Sequence, residues 1–148
     1  DWIRLPQERA AGILSHASFL AQGAKFGDTS PTLRGYQVLK RVLCQKLGPV
    51  PDTIDPDNPP PSSPGTCKDQ AYYMRTVTSC ASCHRLTDNI GFGLENFSAS
   101  GKLREVEAGK PNCIISGEGA VGTTSFTGVR ELGRALASEP ANPGDVVL

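Results

Sequence analysis

The sequence predicts a mainly α domain with one small β-hairpin and one long proline-rich loop, and three observations carry that prediction. Tyr36, Leu39, Leu43 and Leu47 recur at three- and four-residue steps, the spacing of one helix face, and Val129, Leu132 and Leu136 repeat the pattern near the end. Between these runs only one stretch, around residues 102–116, alternates as a strand pair would. Seven prolines fall among the 17 residues from Pro49 to Gly65, and prolines cannot donate to a helix or a sheet. A chain of 148 residues is read as one domain spanning 1–148, long enough to bury a substantial core.

The elements follow in order. Pro6 opens Gln7-Glu8-Arg9-Ala10-Ala11-Gly12-Ile13-Leu14, which predicts a helix over about 6–15: proline suits the first turn, and a carboxylate favours the positive end. Residues Ser15 to Phe26 hold two glycines among apolar residues and read as a mixed turn and loop packed inward. Ser30-Pro31 predicts a helix start, since the serine oxygen caps free N–H groups and proline occupies a position that needs no donor. That helix is expected over 31–47, with Gly48 as its C-terminal cap. The belt at 49–65 is a linker inside the domain. Thr66 then caps a helix through Asp69, Tyr72, Tyr73 and Met74, followed by a short helix from Cys80 to Arg85 and a turn ended by Gly91 and Gly93. Lys102 to Glu107 and Cys113 to Ser116, joined at Gly109-Lys110-Pro111-Asn112, form the expected hairpin. From Thr127 onward a last helix ends near Ser138, before Pro140.

Composition narrows the function. Fifteen Lys plus Arg balance fifteen Asp plus Glu without a block of like charge, which argues against nucleic acid or an anionic membrane surface as partner. Apolar stretches break within a few residues, far short of the roughly 18–20 that a membrane span requires, so no span is expected in this segment. The start at Asp1-Trp2, without an initiator Met or an apolar leader, reads as that of a processed or excised segment. Five cysteines are many for a reduced cytosolic domain, and their odd number means that pairing alone does not consume them all.

Cys80-Ala81-Ser82-Cys83-His84 is a C-x-x-C-H motif, the attachment signature of c-type haem. On a short helix, two cysteines three apart reach both vinyl-derived arms of one porphyrin edge, and the following imidazole comes under the iron. Structural zinc would need a second ligand pair, whereas Cys44, Cys67 and Cys113 are isolated. A thioredoxin-like redox pair would need a βαβ context that this chain lacks. One covalent haem c is therefore the expected cofactor, with Cys80 and Cys83 as attachment points and His84 as proximal iron ligand. Its apolar surface would help a chain rich in Gly and Pro to build a core, which makes the expected fold a cytochrome c-like haem domain. Such haem is attached outside the cytoplasm in bacteria, so a periplasmic or extracellular location is expected. The remaining cysteines suit that oxidising setting, with Cys67–Cys113 the favoured disulfide and Cys44 either its competitor or a buried apolar residue.

After His84 the chain has no Met and no His, so a second axial ligand must come from upstream, where His16 and Met74 are the candidates. Met74 lies only six residues before Cys80, on the lead-in to the haem helix. His16, in the apolar context Ile13-Leu14-Ser15-His16-Ala17-Ser18-Phe19-Leu20, is favoured, although a lone His on an apolar face is commonly a core or half-exposed residue. Two imidazoles imply a lower reduction potential than a His/Met pair. A backbone carbonyl of Thr87-Asp88-Asn89-Ile90 is expected to accept from the His84 ring N–H. Arg34 and Arg104 are candidate partners of the haem propionates, set against a role as solvated surface arginines. Trp2, Phe19, Phe92, Phe97 and Phe126 are candidates to line the pocket, or else plain core.

Several stretches also resemble a family. Gly12 to Leu20, Thr29-Ser30-Pro31-Thr32-Leu33-Arg34-Gly35 with Leu43-Cys44-Gln45, Cys80 to His84, Ile90-Gly91-Phe92-Gly93-Leu94-Glu95-Asn96-Phe97 and Gly101-Lys102-Leu103-Arg104 are similar to planctomycete-type cytochrome c modules, over roughly 9–48 and 80–136. These are haem-c domains, largely of unassigned function, at the C-terminal end of long secreted bacterial proteins. The resemblance implies a distal element that precedes the haem motif, at a position held by Met or Gln in some members and by His16 here. It also implies a redox partner: another domain of the parent chain or an extracytoplasmic oxidase, since some relatives adjoin carbohydrate-binding modules. The chain departs from the family pattern at Asn89, where proline is usual, and in the additions Cys67, Cys113 and the proline belt.

The expected function is that of a monohaem electron-transfer module, an electron carrier rather than an enzyme. The alternative is a module that binds a small ligand or peroxide at an open or labile sixth site. A weaker third reading makes the haem a structural core of an interaction module.

Overall fold

The structure is a computed structural model that describes residues 6–7, 11–25, 28–49, 65–77 and 80–138. Gly12 takes φ +56°, a left-handed conformation that glycine tolerates and that breaks an α-helix. The first expected helix is accordingly replaced, after Ala11, by a 3-10 turn over Gly12–Ser15; its residues 8–10, and Trp2, lie outside the described residues. The following segment, expected as turn and loop, holds helix α1 (Ala17–Ala21) and a ribbon of β1 (Ala24–Lys25) with β2 (Asp28–Thr29). Phe19 and Leu20 are buried, as the inward packing predicts.

Helix α2 (Pro31–Arg41) starts where the sequence places it: Ser30 Oγ accepts from the Leu33 N–H, and Pro31 occupies the first turn. It stops at Arg41 rather than 47, and just beyond it Cys44 takes φ +54°. Leu43 and Leu47 still pack against the core from irregular chain, which explains why the apolar periodicity outruns the helix. Residues 50–64, most of the proline belt, lie outside the described residues.

Helix α3 (Lys68–Thr76) has Cys67, not Thr66, at its N-cap. Helix α4 (Ala81–Phe92) opens at the cysteine motif and runs well past the expected end at Arg85, because Thr87, Asp88, Ile90 and Gly91 are buried by tertiary packing. Gly93 caps it. The partner in that packing is α2. A Cβ on Gly35 would lie 1.8 Å from the Thr87 carbonyl oxygen, and one on Gly91 would lie 1.8 Å from that of Pro31. Only glycine at both positions lets the two backbones approach so closely.

The expected hairpin exists as β3 (Val106–Glu107) with β4 (Lys110–Ile114). A further antiparallel ribbon, β5 (Glu118–Val121) with β6 (Thr124–Thr127), was not expected. Gly119 and Ala120 give β5 no β-branched alternation, and a Cβ on Gly119 would meet the Asn89 carbonyl oxygen of α4 at 2.0 Å. Helix α5 (Gly128–Ser138) ends as predicted and buries Val129, Leu132 and Leu136. The mainly α expectation is thus corrected to a mixed small domain with three two-stranded sheets among the described residues. Its core is shared by the 3-10 turn, α1, α2, α4, the second ribbon and α5. No helix among the described residues is long and apolar enough to cross a membrane.

Candidate functional site

Cys80 stands at the N-cap of α4, with Cys83 and His84 on its first turn. Neither forms a disulfide, and both are partly exposed. Three residues apart on a helix, they lie nearly one above the other on the same face. Near them in sequence, on α3, just after it and on α4, the protein leaves apolar side chains in water: Tyr73 is 63% exposed, Val77 51% and Leu86 48%. On the inner side, Tyr72 meets Phe92 edge to face at 5.7 Å, fastening α3 to α4.

The His84 ring is held by a side chain that the sequence reading passed over. Its Nδ1 lies 2.8 Å from Asp88 Oδ2, one helical turn further along. The expected acceptor was a backbone carbonyl in a loop at 87–90; the segment is helical, its carbonyls are turned along the helix, and the Asp88 carboxylate serves instead. Asp88 is fully buried. Its Oδ1 accepts from Thr32 Oγ1 at 2.7 Å and from Thr87 Oγ1 at 3.1 Å. The Asp88 ion-pair partner among the described residues is His84 alone, charged only when protonated. A buried carboxylate supported by hydroxyls and one imidazole favours positive charge on the far side of that imidazole. The hydrogen bond through Nδ1 leaves Nε2 as the ring's ligand atom.

The remaining expected residues fare differently. His16 is exposed at the N-cap of α1, where its Nδ1 meets Ser18 Oγ at 2.8 Å. No described hydrogen bond or ion pair joins it to His84. The side chain of Met74 lies outside what the structure describes. Arg34 and Arg104 are not solvated surface arginines: both are engaged within the fold. Arg34, 1% exposed, gives its donors to the carbonyls of Leu94, Phe97 and Ser98 and to Glu95. Arg104 bonds the Glu95 carbonyl and carboxylate and Thr29 Oγ1. Burial lowers the Arg34 pKa, and the charge of Glu95 opposes that shift. Asp28, at the edge of this network, is raised by burial but more strongly lowered by the Lys68 ammonium, the Thr29 N–H and Arg104, so its pKa falls below the ordinary value. Phe19, Phe97 and Phe126 are core residues; Phe92 packs against Tyr72.

Cys67 and Cys113 form the disulfide favoured from the sequence. Cys44 is neither its competitor nor a buried apolar residue: it is free and exposed.

The donor set fits a covalently held haem: two cysteines outside any disulfide on one turn, an imidazole held through Nδ1 and a buried anion behind it. The family model of PSCyt3, a protein of unknown function (DUF1588), matches residues 10–107. The matched range ends at Glu107, before β4. No curated protein and no solved structure matches the chain. The chain belongs to this planctomycete-type cytochrome c module family of unknown function.

Proposed function

We propose that this family member is a monohaem c-type cytochrome that passes single electrons to and from a partner protein. The observation that carries the reading is the first turn of α4, which presents two cysteines outside any disulfide and the Asp88-anchored His84 together. Cys80 and Cys83 would hold the haem through thioether links, and Nε2 of His84 would bind its iron. The bound haem supplies one-electron chemistry; the chain sets ligation, burial and access. Tyr73, Val77 and Leu86 are the apolar residues the haem would cover. His16 is the second axial ligand in this reading, supported by an exposed ring that is held through Nδ1 by Ser18. Two imidazoles then favour a lowish potential. The Cys67–Cys113 disulfide suits the periplasm or the extracellular space, where a redox partner such as an oxidase or a parent-chain domain would meet it.

A second reading, a module with an open sixth site for a small ligand or peroxide, is favoured by one observation: among the described residues no hydrogen bond or ion pair ties His16 to the motif helix. The absorption spectrum of the exported, dithionite-reduced protein, before and after carbon monoxide, separates the two. Sharp low-spin haem-c bands that carbon monoxide leaves unchanged, and that become sensitive to it in His16→Ala, are expected. A wild-type spectrum that shifts with carbon monoxide would move the function to the second reading, and absence of haem bands would overturn both.

A further inference from the structure

Asp88 is more than a hydrogen-bond acceptor that happens to face His84. It is fully buried, its Oδ1 is occupied by two hydroxyls from two different helices, and its Oδ2 faces the imidazole at 2.8 Å. A close approach of the α2 and α4 backbones serves this arrangement. Gly35 against Thr87 and Gly91 against Pro31 bring α2 near enough for Thr32 to reach into α4. The carboxylate is therefore clamped from behind, with one oxygen left to the ring.

Resting on the reading of Cys80 to His84 as a haem site, we infer that Asp88 is a positioning residue that tunes the haem iron through His84, holding its reduction potential down, with Thr32 as the brake on that effect. A carboxylate that accepts the Nδ1–H draws the proton toward itself and gives the ring imidazolate character. The outer nitrogen becomes a stronger donor, and a stronger donor stabilises ferric over ferrous iron. In a buried site the hydrogen bond acts with little screening. Thr32, by donating to Oδ1, withdraws charge from the same carboxylate and makes it a weaker base. The two residues therefore act on the iron with opposite signs.

The test is the midpoint potential of the holoprotein by spectroelectrochemistry in wild type, Asp88→Asn and Thr32→Val, with covalent haem in each verified by its pyridine haemochrome spectrum. Asparagine keeps the shape and removes the charge, so the potential should rise. About 59 mV corresponds to a tenfold change in the ratio of ferric to ferrous protein, and a rise of that order is expected. Thr32→Val should lower it. A site that is merely loosened moves both variants in the same direction; that result, or an unshifted Asp88→Asn, overturns the inference while the haem reading stands. If Asp88→Asn yields no holoprotein, Thr32→Val decides: a fall supports the assignment and any other result overturns it. Wild-type protein without covalent haem overturns the haem reading, and this inference with it.

Discussion

Three cations converge on the carboxylate of Glu95: Arg34, Lys68 and Arg104 each place a nitrogen within 3.3 Å. Glu95 is 2% exposed, and Thr29 Oγ1 donates to the same group. Removing one member of a buried pair leaves a buried charge uncompensated, which costs about 3–5 kcal/mol. Glu95→Gln, isosteric and neutral, should destabilise the protein by that amount, a fall in Tm of about 6–20 °C for a chain of this size. Calorimetry decides it, and a Tm within about 2 °C of wild type would show that Arg34 is satisfied by the carbonyls of Leu94, Phe97 and Ser98 alone. The sequence made Arg34 and Arg104 recognisable as carboxylate binders but could not say which carboxylate, because Glu95 lies 61 residues from Arg34. Asp88 escaped notice for a related reason. Its four-residue step from His84 has meaning only on a helix that continues beyond Arg85.

Local signals marked where elements begin. The capping serine and first-turn proline located the start of α2. Element length was another matter, set by contacts distant in sequence: α2 stops early although Leu43 and Leu47 stay in the core, and α4 runs on because α2 covers it. The α2–α4 crossing is therefore the place where a small change should have the largest structural effect. Gly35→Ala would press a methyl group into the Thr87 carbonyl, backbone against backbone with no flexible atom to give way. Overpacking of this kind costs about 1–3 kcal/mol. Gly133→Ala in α5 is the control, since its Cβ would meet only Leu14 Cδ1 at an ordinary 3.7 Å and alanine favours a helix by up to about 1 kcal/mol over glycine. Denaturant titration should show the midpoint falling for Gly35→Ala and holding or rising for Gly133→Ala. Equal effects would mean that the crossing is not the tight point of the fold.

At the scale of the molecule, the candidate site lies inside a covalent loop. The disulfide joins Cys67, at the N-cap of α3, to Cys113 in β4, a sequence separation of 46 that takes in all of α3 and α4 and, of the network around Glu95, only Lys68, Glu95 and Arg104. Its surroundings are tied as well: Glu107 accepts from the Lys68 N–H and pairs with Lys110, whose ammonium reaches the Thr66 carbonyl. A cross-link of this span restricts the unfolded chain by about 4 kcal/mol on loop-closure grounds. The folded contacts around it do not depend on the S–S bond, so its removal should act mainly by freeing the unfolded state. Cys67→Ser with Cys113→Ser should therefore lower the denaturation midpoint while leaving the spectrum of the native protein unchanged, and wild type under reducing agent should behave alike. A stability loss below about 1 kcal/mol, against the 4 expected of such a loop, would mean that the unfolded chain is already held together by other means. A changed native spectrum would mean that the bond shapes α4 directly rather than the ensemble from which it folds.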